Sequence, residues 1–298
     1  MGARRVGEDG SALLDCTRAF KGNIRMNIGI FDSGIGGLTI LHQAMMLMPH
    51  ENFIFYADTD HVPYGTKTPE QVIAYVDTVI RFMAGHDCKA VVIACNTATA
   101  VAAELMRSRY ETLPIIGIEP AVKPAVAESA GKRVLVVATP LTVHEKKLRK
   151  LVERVDDEHL VDLLELPGLV GFAERGEFGS ERVTAYLTER LSAYALDRYG
   201  ELVLGCTHFN YFKDTFRELI PSQIHIIDGS LGTVRQLMRV LDARHALLDP
   251  PVYADADWDR LKNDICVRYF ESGREVTDEA KLGTIRQLHE RLEKMRKI

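Results

Sequence analysis

From Met26 onward the chain alternates strand-length apolar runs with longer segments of helical periodicity. That alternation admits few folds: parallel strands joined by right-handed crossovers, with helices on both faces of each sheet. The runs include Asn27-Ile28-Gly29-Ile30-Phe31, Phe53-Ile54-Phe55-Tyr56-Ala57, Val91-Val92-Ile93-Ala94 and Ile115-Ile116-Gly117-Ile118. Val134-Leu135-Val136-Val137-Ala138, residues 161–165, Leu202-Val203-Leu204 and Ile224-His225-Ile226-Ile227 follow. Helical patterns are expected over 38–48, 69–84, 98–109, 120–130, 142–154, 180–199, from about 211, and over 231–247. Pro49 stops the first of these, and Pro69 opens the second. Residues 166–179 read as turn-rich, and a last strand at 265–270 precedes a charged helix at 279–296.

Counting strands predicts two sheets. The fold class expected is α/β, with two doubly wound, mostly parallel domains related by pseudo-twofold symmetry and an active site in the cleft between them. Residues 1–25 read as a flexible extension, 26–119 and 229–298 as an outer domain, and 120–228 as an inserted one. Ligands of such folds sit beyond the carboxyl ends of parallel strands.

Composition narrows the function. The 298 residues, 46% of them hydrophobic, suffice for one large core or two modest ones. A formal charge of -5 with no polybasic arm argues against a nucleic-acid partner. No apolar run is long enough for a transmembrane helix, and the N-terminus lacks an apolar signal core, so a cytoplasmic protein with no membrane partner is expected. Five cysteines with no C-x-x-C pair fit a reducing compartment better than a disulfide framework.

Two of those cysteines share a setting. Ala94-Cys95-Asn96-Thr97-Ala98-Thr99 and Leu204-Gly205-Cys206-Thr207-His208-Phe209 each follow a strand and precede a helical pattern. Taken singly, either cysteine reads as a small buried hydrophobe. As a pair at equivalent strand ends they suit removal of a proton from one side of a carbon and its return on the other. Amides at the helix starts are expected to stabilise a thiolate and lower its pKa. Cys16, Cys88 and Cys266 lack this setting and read as structural or incidental.

Other strand ends carry polar groups. Asp32-Ser33-Gly34-Ile35-Gly36-Gly37 is not a dinucleotide loop, because Thr39 stands where the third glycine of G-x-G-x-x-G belongs. A carboxylate and a hydroxyl beside a helix start instead suit an α-amino acid, with Asp32 as a plain N-cap the alternative. Tyr64-Gly65 and Asn96-Thr97 offer short-range donors or simple turn chemistry. His208 beside Cys206 can relay protons or hold a thiolate. Glu174 reads from sequence as a solvated loop acid, with an orienting carboxylate as the sharper alternative. His144-Glu145 is not a zinc-protease motif, since Leu148 replaces the second histidine, and no metal is expected. No lysine motif suggests pyridoxal phosphate, so no cofactor is expected.

These residues resemble the glutamate branch of the aspartate/glutamate racemase family. The resemblance rests on Gly29 to Thr39, Val62-Pro63-Tyr64-Gly65, Ala94 to Thr99 and Leu204 to His208, in family order, and spans about Met26 to Leu247. His208 carries the choice of glutamate, since aspartate-directed relatives tend to have Glu there. The resemblance implies cofactor-independent interconversion of L- and D-glutamate, supplying D-glutamate for bacterial peptidoglycan, by a homodimer. It makes Cys95 the base for the D-enantiomer and Cys206 for the L-enantiomer, with Asp32 and His208 supporting them and Glu174 near the second thiol. Asp32, Ser33, Tyr64, Gly65, Asn96, Thr97, Thr207 and His208 are implied to hold the substrate. Leu166, Gly171 and Phe209-Asn210 depart from the family pattern.

Overall fold

A computed structural model describes residues 26–248 and 265–298; the expected extension 1–25, with Cys16, lies outside them. The first sheet has the order β10-β9-β2-β1-β3-β4 and the second β6-β5-β7-β8. The strands are β1 Asn27–Asp32, β2 Asn52–Ala57, β3 Cys88–Ile93, β4 Ile115–Gly117, β5 Arg133–Ala138, β6 Val161–Glu165, β7 Tyr199–Leu204, β8 His225–Asp228, β9 Val267–Glu271 and β10 Arg274–Glu275. All pairings are parallel except β9 with β10. The orders 2-1-3-4 and 6-5-7-8 are the same, so β3 and β7, the strands leading to Cys95 and Cys206, occupy equivalent places.

The central strands are mostly apolar because helices cover both faces of each sheet. All of β1 and all of β7 are buried, the signature of an interior parallel strand. The helix Pro69–Ala84 shows how a covering element is specified. Thr68 and Gln71 form a capping box, Pro69 fills the first turn, and Val72, Val76, Val79, Ile80 and Met83 make one buried stripe.

The chain leaves the first sheet after β4, builds the second with residues 120–228, and returns. The two crossing segments run in close contact: a Cβ on Gly229 would collide with the Glu119 carbonyl, so glycine is required there by proximity.

Several elements differ from expectation. The pattern over 142–154 is split into Pro140–His144 and Lys146–Val155, because Glu145 is extended and caps the second helix. The turn-rich stretch contains a helix, Pro167–Glu174. Gly168 and Gly171 disguise it, yet Leu169, Val170 and Ala173 are buried on one side and hold it in place. The helix expected over 180–199 ends at Leu191, and β7 starts early, at Tyr199. A 3-10 turn, Thr207–Phe212, precedes the helix Lys213–Leu219. Residues 279–295 form the final helix, Glu279–Met295. Cys88, Cys95 and Cys206 are free thiols, whereas Cys266 is disulfide-bonded, contrary to the expectation from the cysteine pattern.

Candidate active site

The carboxyl ends of β1, β3 and β7 converge on one polar cluster. Cys95 ends β3 and caps the helix Asn96–Arg109, accepting from the Ala98 amide at 3.4 Å. Its thiol faces Ser33 Oγ at 3.8 Å, and that hydroxyl in turn donates to Asp32 Oδ1 at 3.4 Å. Asp32 is fully buried at the end of β1 and also receives the Ser33 amide at 2.6 Å. The contact that joins the sheets is made by Thr207. Its Oγ1 donates to Asp32 Oδ2 at 2.8 Å, so the residue after Cys206 grips the carboxylate beside Cys95.

On the other side Cys206 Sγ lies 3.8 Å from His208 Nδ1. His208 Nε2 lies 2.6 Å from Glu174 Oε1, which also accepts the Ile35 amide at 2.9 Å. Glu174 is thus the last residue of a helix turned inward, with its side chain only 20% exposed, and not a solvated loop acid. Ile35 comes from the first sheet's glycine-rich turn, so this contact also links the two halves.

The electrostatics follow from burial among few charges. Burial pushes the Asp32 carboxyl up, against the opposing effects of His208, Thr207 and the Ser33 amide. For His208, burial acts downward but is outweighed by Cys206 and Glu174, and its pKa is held well above the usual imidazole range. Glu174 is lowered: burial opposes its charge, but the His208 contact and the Ile35 amide prevail. Cys95 is raised well above an ordinary thiol by burial first and then by the Asp32 charge. The Ala98 amide does lower it, as expected of a helix start, but is outweighed. Burial and the Asp32 charge thus both favour the neutral thiol over the thiolate at Cys95.

The remaining expected residues fall unevenly. Tyr64 is buried with its hydroxyl donated to Asp58 Oδ2 at 2.6 Å, so its side chain braces the loop. A Cβ at Gly65 would stand 2.8 Å from Thr139 Cβ. Asn96 is 5% exposed, and neither its amide oxygen nor its nitrogen has a partner among the described residues, which suits contact with a polar ligand. Thr97 Oγ1 meets Thr139 at 3.0 Å and Thr142 at 3.1 Å, and those two meet at 3.0 Å.

Thr139, Thr142 and Asp58 escaped the sequence reading. The signal for Thr139 is topological: it follows β5, the counterpart of β1, just as Ser33 follows β1. A cleft of about 1170 Å³ lined by Arg107, Lys213, Arg239 and others beside β4 and β8 contains neither thiol. The buried network, and not cavity size, defines the site. No group of three His, Cys, Asp or Glu side chains is arranged to hold a metal ion among the described residues.

Two thiols, Cys95 and Cys206, each beside its own polar partners, thus stand at the ends of equivalent parallel strands of an α/β fold. Residues 39–237 match the Asp/Glu/Hydantoin racemase family, and the chain belongs to that family. It is 48% identical over 275 residues to the glutamate racemase of Lachnospira eligens, covering 92% of this chain and 100% of that one. It is 44% identical over 270 residues to glutamate racemase 2 of Bacillus subtilis, covering 90% and 97%. Among solved structures it resembles glutamate racemase from Francisella tularensis in complex with D-glutamate, with TM-score 0.68, 26% identity, and 82% and 87% of the two chains covered.

Proposed function

We propose that the protein interconverts L- and D-glutamate by a two-base 1,1-proton transfer. The observation that carries this reading is the Thr207 to Asp32 hydrogen bond of 2.8 Å, which ties the surroundings of Cys206 to those of Cys95. In the D-to-L direction a Cys95 thiolate takes the α-proton, and the Cys206 thiol delivers its own proton to the opposite face. In the L-to-D direction the roles exchange. Each turnover thus leaves one thiol and one thiolate, with their positions swapped. Asp32 through Ser33 supports Cys95, while His208, held by Glu174, supports Cys206.

The chemistry is demanding because a carbanion beside a carboxylate is poorly stabilised. Fixed dipoles in a closed, water-poor site supply the stabilisation, with the substrate's own ammonium near Asp32. Asn96, Thr97, Thr207 and the Gly65 backbone are the groups we assign to the substrate's carboxylates. Closure of an outer unit, 26–119 and 229–298, on an inserted one, 120–228, belongs to the same reading. So do a homodimer, a cytoplasmic location and the supply of D-glutamate to peptidoglycan. No helix among the described residues is long and apolar enough to cross a membrane.

The test is circular dichroism of purified protein with L-glutamate, D-glutamate and L-aspartate, beside Cys95→Ala and Cys206→Ala. Racemisation of glutamate in both directions, absent from each variant and not seen with aspartate, is the expected result. Turnover of aspartate alone would move the protein to another branch of the family. Binding of glutamate with no loss of optical activity would make it a binding protein.

A further inference from the structure

The final helix carries a side chain that reaches the Cys206 half of the site from behind. Arg291 Nε and Nη2 donate to the Tyr211 carbonyl at 2.9 and 2.6 Å, and Nη2 also meets both oxygens of Asp214 at 2.9 Å. Its guanidinium lies over the Phe178 ring, 4.8 Å from the centroid. These partners sit on the segments that hold the Cys206 relay. Tyr211 belongs to the Thr207–Phe212 turn with Thr207 and His208. Phe178 follows the helix ending in Glu174 and packs against Tyr211, ring centroids 5.2 Å apart. The Tyr211 hydroxyl donates to the Ile35 carbonyl at 3.1 Å, and the Ile35 amide donates to Glu174.

We propose that Arg291 is a positioning residue for the proposed racemisation, fixing the turn and the Glu174 helix in the register that lets Glu174 hold His208 against Cys206. A planar guanidinium fits this task because it satisfies a carbonyl and a carboxylate at once while stacking on an aromatic ring; lysine does only part of it. No comparable brace from the final helix reaches Cys95 among the described contacts, whose partners Ser33, Asp32 and Ala98 lie on the first sheet's own strand ends. The brace therefore acts first on Cys206 and reaches Cys95 only through the Thr207 to Asp32 contact.

This inference rests on the proposed racemase reading, but its test reads the thiols without turnover. Arg291→Met keeps the stem, and Leu288, Leu292 and Met295 still bury the helix. Rates of iodoacetamide alkylation at Cys95 and Cys206 are followed against pH by peptide mass spectrometry in the full chain, with glutamate kcat/KM measured beside them. In Arg291→Met, His208 supports the Cys206 thiolate less, so the Cys206 profile moves to higher pH by more than the Cys95 profile moves. The kcat/KM falls by about 10- to 100-fold, the scale of a misplaced reacting group, and Arg291→Lys recovers part of both effects. Unmoved profiles, a Cys95 profile that moves as far as that of Cys206 or further, or a kcat/KM within twofold of the parent each overturn the proposal. A parent protein that leaves glutamate unchanged overturns the functional reading instead, and the alkylation profiles still decide the role of Arg291.

Discussion

Replacing Glu174 with Gln separates charge from shape in the Cys206 relay. The amide oxygen can still accept from the Ile35 amide, so the turn after β1 keeps its anchor, but the His208 imidazolium loses its counter-charge. His208 is 2% exposed and Glu174 20%, so water replaces little of what is lost. A hydrogen bond to a charged group contributes about 1.5–3 kcal/mol, which corresponds to about 10- to 100-fold in rate if it is realised in the transition state. Because enantiomers have equal free energies in water, the equilibrium constant is unity and kcat/KM must fall equally in both directions. His208 has a raised pKa, so its contribution to stability is complete below its unfolded value and is lost as pH rises through the folded one. Glu174 has a lowered pKa, so its contribution is present above its unfolded value and is lost as pH falls through the folded one. The pair thus stabilises the fold between Glu174's lowered and His208's raised pKa, and Glu174→Gln removes that advantage across the same window. The assay is kcat/KM for D- and L-glutamate against pH, with urea denaturation of both proteins. The basic limb of the variant's profile should move to lower pH. Full activity with an unmoved basic limb would refute the assignment of Glu174 as the support of His208.

Other outcomes follow from the same network. Asp32→Asn should abolish racemisation yet stabilise the fold at neutral pH in urea denaturation. A raised carboxyl pKa favours folding below the unfolded value and loses that contribution as pH rises through the folded one, so an uncharged isostere escapes the cost. Gly36→Ala places a Cβ 2.5 Å from Thr207 Oγ1 and 2.8 Å from Asp32 Oδ2; kcat/KM for glutamate should fall by about 100-fold, as expected of a displaced reacting group. Thr207→Val leaves a buried oxygen of Asp32 without its donor and should cost about 1–3 kcal/mol of stability in the same denaturation assay.

Much of the sheet was legible because parallel strands buried on both faces advertise themselves as unbroken apolar runs, and Val91–Ile93 and Leu202–Leu204 are such runs. Cys95 and Cys206 were legible because each closes one of them. Glu174 was obscured: Gly168 and Gly171 lower helical periodicity, and only the packing of Leu169, Val170 and Ala173 turns the segment into a helix that aims the carboxylate inward. Tyr64 reads as a short-range donor, and its hydroxyl is donated to Asp58, six residues earlier. Arg291 gave no signal. Its partners Tyr211 and Asp214 are about eighty residues away in sequence, and contacts at such separation leave no local pattern.

The most direct test of the two-base mechanism is proton NMR of L-glutamate with the enzyme in D₂O, sampled early in the reaction. Two opposed thiols predict that the D-glutamate formed carries deuterium at Cα while the remaining L-glutamate keeps protium, with neither change in Cys95→Ala or Cys206→Ala. Deuterium entering L-glutamate as fast as D-glutamate appears would mean that a single base serves both faces, and would contradict the assignment of one thiol to each.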